Sequence, residues 1–389
     1  MSESNSFIMN EENFNISLLV GLKNNLEYSI NFYETTRKLY PNVEIVFVSY
    51  GSTDGTHQWL DSLNDSNLIY YYFPETKTFS DTYNKCSELA TKDYIVFLHN
   101  DMVLTPHFLE NIVKYLDKDT IVGFSTIEPP IFSKNERIGK IVKDFGIDIQ
   151  NLELDELYRF SIDYQQRYKN QIANKIDLLF FIALCNEKFK SVNGLDNLFD
   201  PMFCEDDDLF LRLEAIGLNK LTSLDAICYH FVSKTSRFSE DVIKKTKEIE
   251  CNSQRNFLRK WGFPSYNDKR KVYDIGIVLK NATLDTIQEI EPYASQLYVD
   301  CDFSEYIKKE QPKTKLDLSR RILPIKSFNK EHDILIIIDE NEMDEKSFFL
   351  VKNVYQKIEK RRKESFKNLF RSKNKIKKKG VSVVIQNYN

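Results

Sequence analysis

Short, nearly continuous apolar runs alternate with amphipathic stretches from Ile16 to Ser125, and this alternation restricts the fold more than any single motif. Ile16–Leu22 reads as a strand buried on both faces, followed by a helix through Leu26–Leu39 that stops near Pro41. Val43–Val48 is a second strand. A polar turn from Ser49 to Thr56 leads into a helix from His57, and Leu68–Phe73 is a third strand. A helix through Ser80–Ala90 precedes the strand Tyr94–Leu98, which ends in His99-Asn100-Asp101. Helix Pro106–Leu116 and strand Ile121–Ser125 follow. Strands alternating with helices predict an α/β fold with a mostly parallel sheet flanked by helices. In such sheets ligands sit beyond the carboxyl ends of the strands, where the polar turn and His99-Asn100-Asp101 both fall.

Composition narrows the class. With 389 residues, 42% hydrophobic and 29% charged, the chain has core material for two domains. The longest apolar runs, Leu178–Cys185 and Ile334–Ile338, are far too short to span a membrane. Residues 1–14 lack the basic and apolar regions of a signal peptide. The six cysteines have no Cys-x-x-Cys spacing, so neither a zinc site nor a disulfide framework is expected, and a cytoplasmic protein is the simplest reading. Charge is uneven. Between Lys357 and Lys379, twelve Lys or Arg face only Glu359 and Glu364, in a chain whose net charge is −4. Residues 357–389 therefore read as a basic tail, either a solvated extension or a contact to anionic lipid or nucleic acid.

Three segments carry chemistry. Gly51-Ser52-Thr53-Asp54-Gly55 is a short turn that opens a helix and can present backbone N–H groups to a nucleotide's charge. Asp101, at a strand end, can hold a hard divalent cation whose shell substrate phosphates complete. Glu205-Asp206-Asp207-Asp208 precede the apolar run Leu209-Phe210-Leu211, as acids in a first helical turn complement the helix dipole. Asp208 and Arg212 are four apart and can pair.

In order, these segments resemble a family 2 glycosyltransferase of the GT-A fold, over roughly residues 14–262. Ile16-Ser17-Leu18-Leu19-Val20-Gly21-Leu22-Lys23-Asn24 is similar to the family's opening strand. Gly51 to Thr56 match its Gly-Ser-Thr-Asp-Gly-Thr turn, and Asn84 with Lys92 to Asp101 match the approach to its Asp-x-Asp metal motif. Val192-Asn193-Gly194-Leu195-Asp196, Phe199 and Glu205 to Leu209 resemble the acceptor-side segment ending in Glu-Asp-x-Asp-Leu, and Lys260-Trp261-Gly262 resembles its closing motif.

The resemblance implies a nucleoside-diphosphate sugar donor, a divalent cofactor (Mn²⁺ or Mg²⁺) and single displacement with inversion at the sugar. Asp101 matches the second metal-motif Asp, and His230 lies where some relatives place a further metal ligand. Asp206 matches the general base, with Glu205 beside it shaping its charge. Leu22, Lys23, Asn24, Ser49, Tyr50, Asp54, Asn84, His99 and Asn100 fall at donor-site positions, and Asp206 and Trp261 on the acceptor side. The chain departs from the pattern twice. His99 replaces the first metal-motif Asp, and it either binds metal or contacts the donor. Ser49-Tyr50 replace the acids that meet the nucleobase, so Tyr50 either stacks on a base or packs on the sheet. Lys23 either reaches the pyrophosphate or is solvated.

The expected organisation is an extension over 1–14, a GT-A domain over 15–263 with an insertion at about 127–175, a small α/β domain over 272–356, and the basic tail. The acceptor is either a glycan or polysaccharide, or a hydroxyl on a modified nucleic-acid base. The alternative is a non-catalytic nucleotide-sugar or glycan-binding protein. A nucleotidyltransferase would want a glycine- and lysine-rich loop after the first strand, which Lys23-Asn24-Asn25 matches poorly.

Overall fold

A computed structural model describes residues 14–131, 134–232, 240–264, 271–328, 331–367 and 375–387, which form two compact units divided at Thr246. The first unit runs β1 (Ile16–Leu22), α1 (Leu26–Leu39), β2 (Glu44–Tyr50), α2 (Thr56–Ser62), β3 (Leu68–Phe73), α3 (Phe79–Leu89) and β4 (Tyr94–His99). It continues with β5 (Met102–Leu104), α4 (Phe108–Val113), β6 (Thr120–Glu128), β7 (Lys140–Val142), α5 (Leu154–Arg167) and β8 (Ile172–Ala173). The last elements are β9 (Ile182–Cys185), α6 (Asn186–Ser191), α7 (Glu205–Ala215) and β10 (Asn219–His230). Helix α8 (Glu240–Trp261) contains the division, so Trp261 belongs to the second unit.

The sheet order is β3-β2-β1-β4-β9-β6-β10-β5, with β7 on β6 and β8 on β10. Strands β1 to β4 are mutually parallel, as are β6 and β10, while β9 runs against both β4 and β6. The apolar runs of β1 and β2 lack polar alternation because both faces are covered. Leu18, Val20, Ile45 and Phe47 enter one core with Phe32 and Leu60, whereas Leu19, Val46 and Val48 enter a second with Tyr83 and Leu213. Residues 127–175, the stretch hardest to read, supply β7, α5 and β8, and α5 buries Leu157, Tyr158 and Ser161.

The second unit contains β11 (Ile275–Lys280), α9 (Leu284–Ile290), β12 (Gln296–Val299), α10 (Ser304–Glu310), β13 (Ile322–Pro324) and β14 (Ile334–Asp339). It ends with α11 (Glu345–Lys352), α12 (Val354–Lys367), β15 (Lys375–Lys378) and β16 (Val381–Ile385). Its sheet order is β13-β12-β11-β14-β16-β15, parallel as far as β14 and then closed by an antiparallel hairpin. The segment expected as a basic tail is therefore partly folded into this sheet. Val381, Val383 and Ile385 are buried apolar residues at period two, which is a strand signal that the surrounding lysines mask. Exposed Lys375, Lys377 and Lys378 occupy the edge strand, where charge discourages pairing with another chain. Within this unit Arg259 is buried and held by Glu291 and Glu310, each at 2.8 Å. Arg255 and Arg321 complete the network, so the buried charges are paired.

Candidate active site

At the carboxyl end of β4, His99 and Asp101 meet a side chain distant in sequence, His230. His99 ends β4 and Asp101 follows in the turn. Strand β5 then runs antiparallel to β10, with Met102 opposite His230. The Phe231 N–H donates to the Asp101 carbonyl at 3.0 Å, which locks this turn against the strand end. As a result His99, Asp101 and His230 offer ligand atoms all within 4.8 Å of one another. His230 Nε2 lies 3.4 Å from Asp101 Oδ1, and His99 Nδ1 lies 4.0 Å from the same oxygen.

The electrostatics separate the two imidazoles. His99 is half-buried against Phe79, Phe180 and Phe181, and this desolvation pulls its pKa down to about 4, so the ring is neutral at physiological pH. Its Nε2 is buried with no hydrogen-bond partner among the described residues. For His230 burial also opposes charge, but Asp101 and Glu128 override it and push the pKa up to about 9. Burial would raise Asp101, yet His230 and His99 hold it at about 2. Two imidazoles, an ionised carboxylate and an uncommitted ring nitrogen fit a divalent cation, and a bound ion would displace the His230 proton.

The acid run lies at the start of α7 and is approached through two non-glycine residues with left-handed backbone, Phe203 (φ 78°) and Cys204 (φ 65°). Asp208 is fully buried and pairs with Arg212 at 2.7 Å, as the spacing predicts. Arg212 also donates to the carbonyls of Val192 and Gly194, and so fixes the loop before the helix. Gly194 has φ +63° and faces Asn84 so closely that a Cβ would clash with the amide. Desolvation raises the carboxyl pKa of both Glu205 and Asp206, helped by Asp206 and Asp207 beside Glu205 and by Asp207 beside Asp206. Glu205 Oε2 is buried without a partner among the described residues, and Asp206 Oδ1 accepts from the Asp207 N–H at 2.9 Å. Phe79 ties this region to the metal candidate: its N–H donates to the Pro201 carbonyl, and its ring lies 6.2 Å from that of His99.

Several candidate donor residues spend their polar atoms on the protein. All three Lys23 N–H bonds are used, on the Tyr50 and Gly51 carbonyls and on Thr76 Oγ1. Gly51 (φ +67°) leaves room for that ammonium, where a Cβ would crowd it. Asn24 Oδ1 accepts from Thr53 N–H, the Asn24 N–H donates to Ser52 Oγ, and Asp54 accepts from Leu26 N–H and from Thr56. These bonds staple the loop after β1 to the loop after β2. Asn84 makes a two-way bond with the Leu195 backbone, and Asn100 donates to Ser29 Oγ. Tyr50 is packed, edge-on to Tyr71 and with Lys77 Nζ 5.1 Å above its ring. Ser49 Oγ bonds Ser52 Oγ and His57 Nε2, and Leu22 is core. Trp261 lies among Phe257 and Phe263 in the second unit.

Glu128 and Lys140 were missed. Glu128 ends β6, a strand-end position like that of Asp101, but the strand reading stopped at Ser125, and Lys140 lies inside the unread insertion.

The first unit is thus an α/β fold whose helix-flanked, mostly parallel sheet carries a cation-type cluster at its strand ends. Residues 17–177 match the family model for glycosyl transferase family 2. No curated protein matches the chain in sequence. Solved structures with similar folds include GalNAc-T7 with UDP, GalNAc and Mn²⁺ (11% identity, 57% of this chain and 44% of that one, TM-score 0.43). Others are the mannosyltransferase PcManGT from Pyrobaculum calidifontis with GDP-Man and Mn²⁺ (16%, 64% and 64%, 0.41) and S. aureus TarS 1-349 with UDP-GlcNAc (13%, 62% and 70%, 0.41). The chain spans less than half of the first of these and just under two thirds of the second. No helix among the described residues is long and apolar enough to cross a membrane.

Proposed function

We propose that this chain is a metal-dependent inverting glycosyltransferase that moves a sugar from a nucleoside-diphosphate sugar to an acceptor hydroxyl. The observation that carries the reading is the convergence of His99, Asp101 and His230 at the strand ends. Asp101 and His230, with His99, would hold Mn²⁺ or Mg²⁺, and two imidazoles among three ligands favour Mn²⁺. A bound ion there supplies neutralisation of the charge on the leaving diphosphate. Asp206 takes the acceptor's proton as the acceptor oxygen bonds to the anomeric carbon and the anomeric carbon–phosphate oxygen bond breaks. The raised pKa of Asp206 suits it to proton pickup. Glu205, its neighbour in the acid run, is the residue proposed to shape the charge around Asp206.

A thermal-shift screen of UDP- and GDP-linked sugars with Mn²⁺ tests this reading. One donor class is expected to raise the melting temperature only when the ion is present. Stabilisation by no donor, or by donors equally in chelator, removes the metal-assisted donor site. Donor binding without hydrolysis or transfer to any glycan or nucleic-acid acceptor would instead identify the non-catalytic alternative.

The basic segment supports contact with an anionic partner, either a nucleic acid or an anionic lipid surface, because Lys375, Lys377 and Lys378 are exposed on one edge strand. Deleting 357–389 would strip β16 from the sheet and confound the result. The cleaner variant is Lys377→Glu with Lys378→Glu, expected to weaken salt-sensitive binding to DNA or to phosphatidylserine vesicles while donor hydrolysis is unchanged. Wild-type protein that binds neither anion at low salt removes this role.

A further inference from the structure

We propose that Glu128 is the positioning residue for His230, itself anchored by Lys140, and that this pair sets the imidazole's orientation for metal binding. The inference rests on the metal-site reading above. Its geometry extends beyond that trio, to residues on β6 and β7. Glu128 Oε1 lies 3.3 Å from His230 Nδ1, on the side of the ring opposite Asp101. Glu128 Oε2 pairs with Lys140 Nζ at 2.7 Å, and Thr126 Oγ1 donates to Oε1 at 2.9 Å. Both carboxylate oxygens are thus occupied, and the side chain is buried. Parallel pairing of β6 with β10 sets Ile127 beside Tyr229, which delivers Glu128 to His230. Pairing of β7 with β6 sets Lys140 beside Thr126.

A carboxylate that accepts from Nδ1–H fixes the tautomer in which Nε2 carries the lone pair. That nitrogen is the one facing Asp101. Without Glu128 the ring could rotate or take the other tautomer, and Nε2 would cease to be the ligating atom. Lys140 gives this carboxylate a second, fixed partner, so the insertion reaches the site through β7.

The test is Mn²⁺ titration of the full chain, followed by the EPR signal of free Mn²⁺. Glu128→Gln is nearly isosteric and is expected to weaken Mn²⁺ affinity by about 10- to 100-fold. The KM for Mn²⁺ should rise accordingly, with kcat recovered at saturating ion. Because this variant also leaves the Lys140 charge unpaired, Glu128→Gln/Lys140→Met is measured beside it, and Lys140→Met alone, which frees the carboxylate from its anchor, should weaken Mn²⁺ binding by less than Glu128→Gln does. A loss that persists in the double variant supports positioning by Glu128. Wild-type affinity in Glu128→Gln, or a loss that disappears in the double variant, overturns it. If His230→Ala and Asp101→Asn also keep wild-type affinity, the metal-site reading fails. If those two lose the ion and Glu128→Gln does not, only the positioning role fails.

Discussion

Asp101→Asn should reduce Mn²⁺ affinity by more than about 100-fold, because loss of a direct ligand exceeds the cost of an outer partner. The amide keeps the shape of the side chain but offers a neutral oxygen between two imidazoles. It also removes the nearest countercharge of His230, whose raised pKa rests first on Asp101 among the groups that favour its charge. His230 would then lose its proton more readily, so the variant's failure would reflect a missing carboxylate and not a protonated histidine. Mn²⁺ titration alongside donor hydrolysis measures this. Unchanged affinity, or wild-type turnover in chelator, would remove the ion from the mechanism. Mg²⁺ should support less turnover than Mn²⁺ in the wild type, since carboxylate-rich shells suit Mg²⁺ and imidazoles suit transition ions.

Asp206→Asn should lower transfer by about 10²- to 10⁴-fold, the range general-base catalysis contributes, while nucleotide-sugar binding persists. The pH profile gives a second reading of the same group. Desolvation and Asp207 lift the Asp206 carboxyl above the ordinary value of about 3.9, so its base form accumulates only at higher pH. The wild-type rate should therefore rise with pH through that shifted range and then level, and the Asn variant should lack the rising limb. An active Asn variant with an unaltered profile would place the base elsewhere.

Local periodicity made the parallel half of the sheet legible. Strands β1 to β4 follow apolar runs whose ends needed shifts of only a residue or two. Asp208 and Arg212 were legible for a similar reason, since their pairing depends only on helical spacing. The antiparallel elements were harder. Three-residue β5 has no period of its own, and it is pairing with β10 that brings Asp101 to His230. Residues 381–385 were hidden by charge, because a run of lysines outweighs a short alternating strand in any composition-based reading. The donor-side residues pose a different problem. Lys23, Asp54 and Asn84 resemble the family's pattern in sequence, but only tertiary contacts determine whether a polar group faces a ligand or a neighbouring loop.

The stapling of the β1 and β2 loops through Asn24, Asp54 and Lys23 has a thermodynamic consequence. Each loop is ordered by the other before any nucleotide arrives, so their backbone freedom has already been surrendered during folding. If the proposed donor binds there, its capture needs little further ordering, and more of the contact energy survives as affinity. The same linkage makes the two loops a single mechanical body. A substitution in either one displaces both, and donor preference will respond to paired changes across the two loops more readily than to changes confined to one.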